Sequence, residues 1–152
     1  SAGLIRVKEI DGFSMILNKD YFTDNIFFDE KFFMYLENVD LCLRAIENNG
    51  KIFIVKNSKI NHLGAKAVDD KYNDEIELSR NWHWMWSKFY FNKKHYGFLS
   101  SSIKIFPNFA SAIIKILFYS LLLKKHKINI YKMRLLGILN SFIGKKSFYR
   151  ID

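Results

Sequence analysis

The stretch Phe28–Arg44, FDEKFFMYLENVDLCLR, is the one whose reading decides the fold. Glu37, Asp40 and Arg44 stand at i, i+3 and i+7, so a helix would carry all three on one face. Leu36, Val39, Leu43 and Ile46 repeat at i, i+3, i+7 and i+10 on a neighbouring face, which predicts a buried stripe. Acids held beside a buried stripe can serve acid–base or metal chemistry. The same spacing also makes an ordinary Asp40–Arg44 pair at i, i+4, worth about 0.3–0.5 kcal/mol on a surface.

Working outward, Leu4–Ile10 alternates weakly and Gly12–Leu17 is a short apolar run, which predicts one or two strands joined at Asp11–Gly12. Asn18 opens a helical turn through Phe22, and Thr23–Asn25 reads as a loop. The helix is predicted from about Tyr35 to Asn48, stopped by Asn48-Asn49-Gly50. Lys51–Val55 and Lys59–Leu63 read as strands, the second ending in His62 before Gly64. Ala65–Asn73 reads as a polar loop. A long helix is predicted from about Asp74 to Tyr96, with acids in its first turn, bases in its last, and Gly97 as its stop. Leu78, Trp82, Met85, Trp86 and Phe89 share its apolar face, while Trp84 points elsewhere. Ser100–Ser102 is a candidate boundary. Helices are then predicted over Asn108–Leu123, after Pro107, and over Asn129–Ile143.

The 152 residues suffice for one domain with a core, and 49% hydrophobic residues exclude a disordered chain. The lone Cys42 excludes an internal disulfide and reads as a buried, inert thiol. The start, SAGLIRVKEI, is too polar for a signal peptide. The net charge of +9 is concentrated: residues 1–102 hold 14 Lys+Arg against 14 Asp+Glu, and residues 103–152 hold 10 against one. That last third is also apolar, which suits an anionic membrane surface better than nucleic acid. Its uncharged runs, 105–114 and 116–123, fall short of the roughly 20 residues that cross a bilayer. A helix lying in the interface, or packed on a partner, is expected instead.

Three trypophans mark a possible stacking surface: Trp82 and Trp86 read as core, and Trp84 as the better platform for a sugar or base. His62 at a strand end could ligate a divalent metal, although a lone His is more often structural. His83 and His95 lack an i+4 His partner, so no helical zinc site is indicated.

The residues Phe28–Gly64, with their pattern FDE-x-FF-x-Y-x-E-N-x-DLC-x-R followed by an apolar strand and a strand ending in His, resemble the C-terminal part of the catalytic domain of family 2 glycosyltransferases, the rhamnosyltransferase-like branch in particular. RNWHWMWSKFYFNKKHYG and the closing GKKSFYR are similar to the tail of that branch. The resemblance implies an α/β fold: the C-terminal half of a GT-A (Rossmann-like) domain over residues 1–97, acceptor side, followed by a basic amphipathic helical tail over 98–152. It implies inverting transfer of a sugar, rhamnose among the candidates, from a nucleotide-sugar donor to a cell-surface glycan or lipid-linked acceptor. The catalytic base would come from Glu37, Asn38 or Asp40. The position after Glu37 is Asp in many members and Asn38 here, so Glu37 or Asp40 would serve. His62 would help hold a divalent Mg or Mn ion, and Arg80 with Trp84 would face the acceptor. Other departures are Phe27, Lys56 and Ala67, where the family favours Gly, Pro and Ser. The family's metal-holding DxD motif belongs to a nucleotide-binding half that this sequence does not match, so the chain alone is expected to be inactive. The expected setting is cytoplasmic, at the inner face of the membrane, with self-association through an open sheet edge as the alternative to catalysis.

Overall fold

The computed structural model describes residues 3–22, 27–62 and 70–150 of the chain. Thr23–Asn25, Leu63, Gly64 and Ala65–Asp69, to which the sequence reading assigned loops and a strand end, lie outside the described residues. The fold is mixed α/β and mostly helical, with one two-stranded sheet and three helices among the described residues. The chain divides into two compact units: Ser1–Phe32 with Leu36–Ala67, and Phe33–Tyr35 with Val68–Asp152.

In the first unit, β1 (Leu4–Val7) and β2 (Ile52–Val55) pair antiparallel in the register Leu4↔Val55 to Val7↔Ile52. Both strands are rich in aliphatic and β-branched residues, which suits a pleated backbone. Among the described residues this two-stranded antiparallel sheet is what forms, and a Rossmann-like half is not shown. The strands expected at Gly12–Leu17 and Lys59–Leu63 do not form over the described residues 12–17 and 59–62. The Ile10 carbonyl is taken by the Asn38 side chain, and Phe13 meets His62 ring on ring rather than through a ladder.

Helix α1 (Glu37–Glu47) follows a turn in which the Asp29 side chain and carbonyl accept from the Lys31 and Phe32 amides. Its end is a Schellman closure: Gly50 N–H donates to the Ala45 carbonyl and Asn49 N–H to the Ile46 carbonyl, with Asn49 at φ 62°. This is the stop expected at Asn48-Asn49-Gly50. The expected buried stripe is displaced, however. Asp40, Leu41 and Cys42 are the buried residues of α1, while Ile46 is exposed and Leu36, Val39 and Leu43 are half-buried. Asp40 is drawn inward by its partner Arg44, which turns the helix away from its most hydrophobic face.

The second unit is helical. A short 3-10 turn (Asp70–Tyr72) leads into α2 (Asn73–Leu121), and α3 (Lys125–Phe142) follows after a tight turn. At Gly97, φ 82° and ψ 167° break α2 into limbs 73–96 and 98–121. That backbone region is essentially open to glycine alone. The limbs fold back on each other: Ser101 Oγ donates to the Phe89 carbonyl at 2.9 Å, and Ile105 joins Met85, Phe89 and Ile138 in one buried cluster with Phe109 against it. Ser100–Ser102 is therefore helix rather than boundary, because its hydroxyls are consumed by the Phe89 and Phe98 carbonyls. Pro107 likewise sits inside the second limb instead of before a helix. It and Ile103 are exposed, so water can serve the carbonyl left without an intrahelical donor.

Helix α3 begins four residues earlier than periodicity suggested, and it packs along both limbs. Gly137 makes the close approach. A Cβ there would overlap the Trp82 carbonyl oxygen and lie 3.1 Å from its carbon and 3.3 Å from Met85 Cβ. Both helix ends repeat the closure seen in α1, with Leu123 at φ 53° and Gly144 at φ 77° as the left-handed residues. Leu123 takes that conformation without glycine's freedom, at a cost of about 1–2 kcal/mol. The helix Asn73–Leu121 is long and apolar enough to cross a membrane by length and composition, contrary to the estimate from uncharged runs, since the single Lys115 does not lower its hydropathy enough. Gly97 nonetheless divides it.

Candidate functional site

In the first unit, the first turn of α1 carries Glu37, Asn38 and Asp40, and each has a different environment. Leu36, which precedes the helix, has φ 66° and supplies no side-chain cap; Tyr35 before it has φ 70°. Two consecutive non-glycine residues in left-handed backbone are strained, and such strain concentrates at functional segments. Glu37 is the first helical residue. Its Oε2 is buried and has no hydrogen-bond partner among the described residues.

Asn38 is a tie. Its amide nitrogen donates to the Ile10 carbonyl at 2.7 Å. A Cβ on Gly12 would lie 3.4 Å from Asn38 Cβ, so the 10–12 segment rests on this side chain. Cys42, one turn on, is buried, and desolvation pushes its thiol up despite a hydrogen bond with the Ile10 backbone. It is the buried thiol expected.

Asp40 is fully buried and bound to Arg44, whose Nε donates to Oδ2 at 2.9 Å. Arg44 also donates to the Phe27 carbonyl and lies over the Phe22 ring at 5.8 Å. Asp40 thus anchors the chain on either side of residues 22–27, the structural role that the i, i+4 spacing allowed.

His62 is exposed and stacks on Phe13, with centroids 4.6 Å apart and planes 12° from parallel. The 10–13 segment therefore touches Asn38 at one end and His62 at the other. Among the described residues, His62 does not gather with Glu37, Asp40 or another ligand into a group of three; that distinction falls to Asp74, Glu77 and His126. There, His126 Nε2 is 2.9 Å from Glu77 Oε2 and Nδ1 is 3.9 Å from Asp74 Oδ2, at the starts of α2 and α3. The side chains are well exposed, and the hydrogen bond between His126 and Glu77 accounts for their approach. Nothing in the spacing marks His126 as their neighbour, since helix starts 49 residues apart meet only through the fold back at Gly97.

In the second unit, α2 brings together three of the stretches that carry the family resemblance. His83 is fully buried. Its Nε2 donates to the Tyr149 carbonyl at 2.8 Å, which leaves Nδ1 to accept from the Ser147 hydroxyl at 2.9 Å. Burial lowers its pKa, more than the hydrogen bond to Tyr149 raises it, so the ring is neutral. Trp86 Nε1 donates to the Lys145 carbonyl at 3.0 Å, and Tyr149 stacks on Trp82. The Ser87 hydroxyl donates to the Met34 carbonyl at 2.7 Å. Phe33 lies against His83, with the Arg150 guanidinium 3.5 Å above its ring centre. The RNWHWMW face therefore clamps both Phe33–Tyr35 and the closing SFYR.

Trp82 and Trp86 are core, as their shared face predicted. Trp84 is 39% exposed and meets Tyr35 edge to face at 5.4 Å. Its free surface is flat and apolar. Arg80 is exposed on the same limb. Sequence reasoning missed His83 as the anchor of the closing segment; the only signal was its place between two tryptophans of the buried face.

Set against protein-family models, curated proteins and solved structures, the chain matches none of them.

Proposed function

We propose that the chain is the acceptor side of an inverting glycosyltransferase of the GT-A type, with Glu37 as its base. The observation that carries the reading is the buried Glu37 Oε2, without a hydrogen-bond partner among the described residues. Asn38 is spent on the Ile10 carbonyl and Asp40 on Arg44, so Glu37 is the member of the turn with an acceptor atom to offer. It would take the proton of an acceptor hydroxyl as that oxygen attacks the anomeric carbon of a nucleoside diphosphate sugar. The bond to the diphosphate breaks on the opposite face, and configuration inverts. Within the second unit taken by itself, Trp84 offers a sugar-stacking surface and Arg80 a donor for acceptor hydroxyls. The acceptor is a cell-surface glycan or its lipid-linked precursor. His62 would give a divalent Mg or Mn ion one ligand at most, since no second or third gathers with it among the described residues; the proton transfer rests on Glu37 without it.

Titration of the chain with oligosaccharide acceptors and nucleoside diphosphate sugars, read by tryptophan fluorescence, tests this. Saturable glycan binding is expected, weakened by up to about tenfold in Trp84→Ala and unchanged in Glu37→Gln. Wherever sugar transfer is measured, Glu37→Gln lowers its rate about 10²–10⁴-fold. If neither ligand class saturates, the proposal fails.

A second reading has its own observation. Leu4, Ile5, Phe53, Ile54 and Val55 are all more than two-fifths exposed, so the sheet presents apolar faces and unpaired edges. A non-catalytic, self-associating protein would use them, and its size in solution would then grow with concentration.

A further inference from the structure

The second limb of α2 carries an outward apolar stripe that its own fold leaves uncovered. Leu99, Ile103, Phe106, Ile114, Leu117 and Leu121 are 74%, 67%, 64%, 64%, 63% and 84% exposed. At 3.6 residues per turn they fall within an arc of about 80°. The opposite face is committed: Ser101, Ile105 and Ala112 are buried against the first limb and α3. The limb is thus two-faced, one side packed inside its unit and the other presented along roughly 36 Å of helix.

Charge says what covers it. No acidic residue occurs between Glu77 and Asp152. Lys104 and Lys115 both lie along one side of the stripe, about a third of a turn from its centre, held over the Tyr96 and Tyr131 rings. Lys124, Lys125 and Lys127 are exposed at its end. We infer that this stripe docks flat into the interfacial region of an anionic lipid bilayer, with the lysines at the level of the headgroup phosphates. A spanning arrangement would immerse the packed face as well, and that face is tied by Ser101 to a limb whose Lys88 reaches Asn108. A second protein copy would have to meet the same uncompensated lysines with its own. The inference stands apart from sugar transfer and does not depend on Glu37.

Flotation of the full chain with phosphatidylcholine vesicles, with and without phosphatidylglycerol, is the test. The wild-type chain is expected to float with the anionic vesicles and to be released by high salt. The triple variant Ile103→Ser, Phe106→Ser, Leu117→Ser should lose partitioning by at least about tenfold, with its helical circular dichroism unchanged because all three side chains are exposed. Lys124→Glu, Lys125→Glu, Lys127→Glu, a second and independent variant, should lose the preference for anionic vesicles by about tenfold or more. Failure of the wild-type chain to float, or flotation of both variants equal to that of the wild type, overturns the inference. So does a wild-type dimer in sedimentation that the serine variant turns into a monomer while neither floats, since the stripe would then be a seam between copies.

Discussion

The Asn38 amide donates to the Ile10 carbonyl, and this fixes what a substitution there does. Under the glycosyltransferase reading proposed above, Asn38→Asp looks like the restoration of a base. The contact says otherwise. A carboxylate has no proton to donate at neutral pH, and its oxygens would face a carbonyl oxygen in a half-buried setting. Losing the bond and leaving the carbonyl without a donor costs about 1–3 kcal/mol. Asn38→Asp is expected to lower the midpoint of urea unfolding by that amount at neutral pH, and to recover part of it in acid once the new carboxyl is protonated. An aspartate variant as stable as the wild type at neutral pH would show that the tie contributes nothing. The side-chain types of this turn were legible in the sequence, and so was the Asp40–Arg44 pair, because i, i+4 geometry is local. The tie to Ile10 was not, because 28 residues separate its ends and no spacing rule reaches that far.

At the scale of elements, two glycines do opposite things. Gly97 is needed for its backbone: its φ of 82° with ψ 167° excludes a side chain, yet nothing lies within 4 Å of a Cβ built there. Gly137 has ordinary helical backbone and is needed for space, since a methyl would run into the Trp82 carbonyl and Met85. Both Gly97→Ala and Gly137→Ala should destabilise, by about 1–3 kcal/mol each, and the two are separable. Shortening Met85 to Ala next to Gly137→Ala leaves the backbone clash with Trp82 in place, so little is recovered; a D-alanine at position 97, made by semisynthesis, should restore wild-type stability there, because its mirror-image backbone preference admits φ 82°. Thermal unfolding followed at 222 nm distinguishes the two causes. Helix stops were readable from the sequence at Asn49 and Gly97, where turn chemistry is written in residue type. Strands 12–17 and 59–62 were misread because alternation shows only that a segment could pair, and here its backbone and rings were claimed by α1 and by each other.

The molecule as a whole distributes its core unevenly. Phe22, Phe32, Leu41 and Cys42 are the buried apolar residues of the first unit, whereas the second buries Trp82, Met85, Trp86, Phe89, Ile105, Ala112, Ile130 and Ile138. At about 1.5–3 kcal/mol for each large side chain fully buried, the second unit holds most of the hydrophobic stabilisation. A two-stranded sheet with exposed faces is marginal by itself. The clamp of Phe33–Tyr35 and SFYR on the RNWHWMW face adds hydrogen bonds to the larger core of the second unit. Local opening should therefore begin in the sheet. Native-state hydrogen exchange is expected to give amides of Ile52–Val55 protection at least about a hundredfold below that of residues 82–89. Mild urea should raise exchange in the sheet before it touches α2. Equal protection in the two regions would mean that they unfold as one, and that the exposed apolar sheet is held by contacts beyond its own two strands, as the self-associating alternative requires; dilution of the protein would then lower protection in β2 while leaving α2 unchanged.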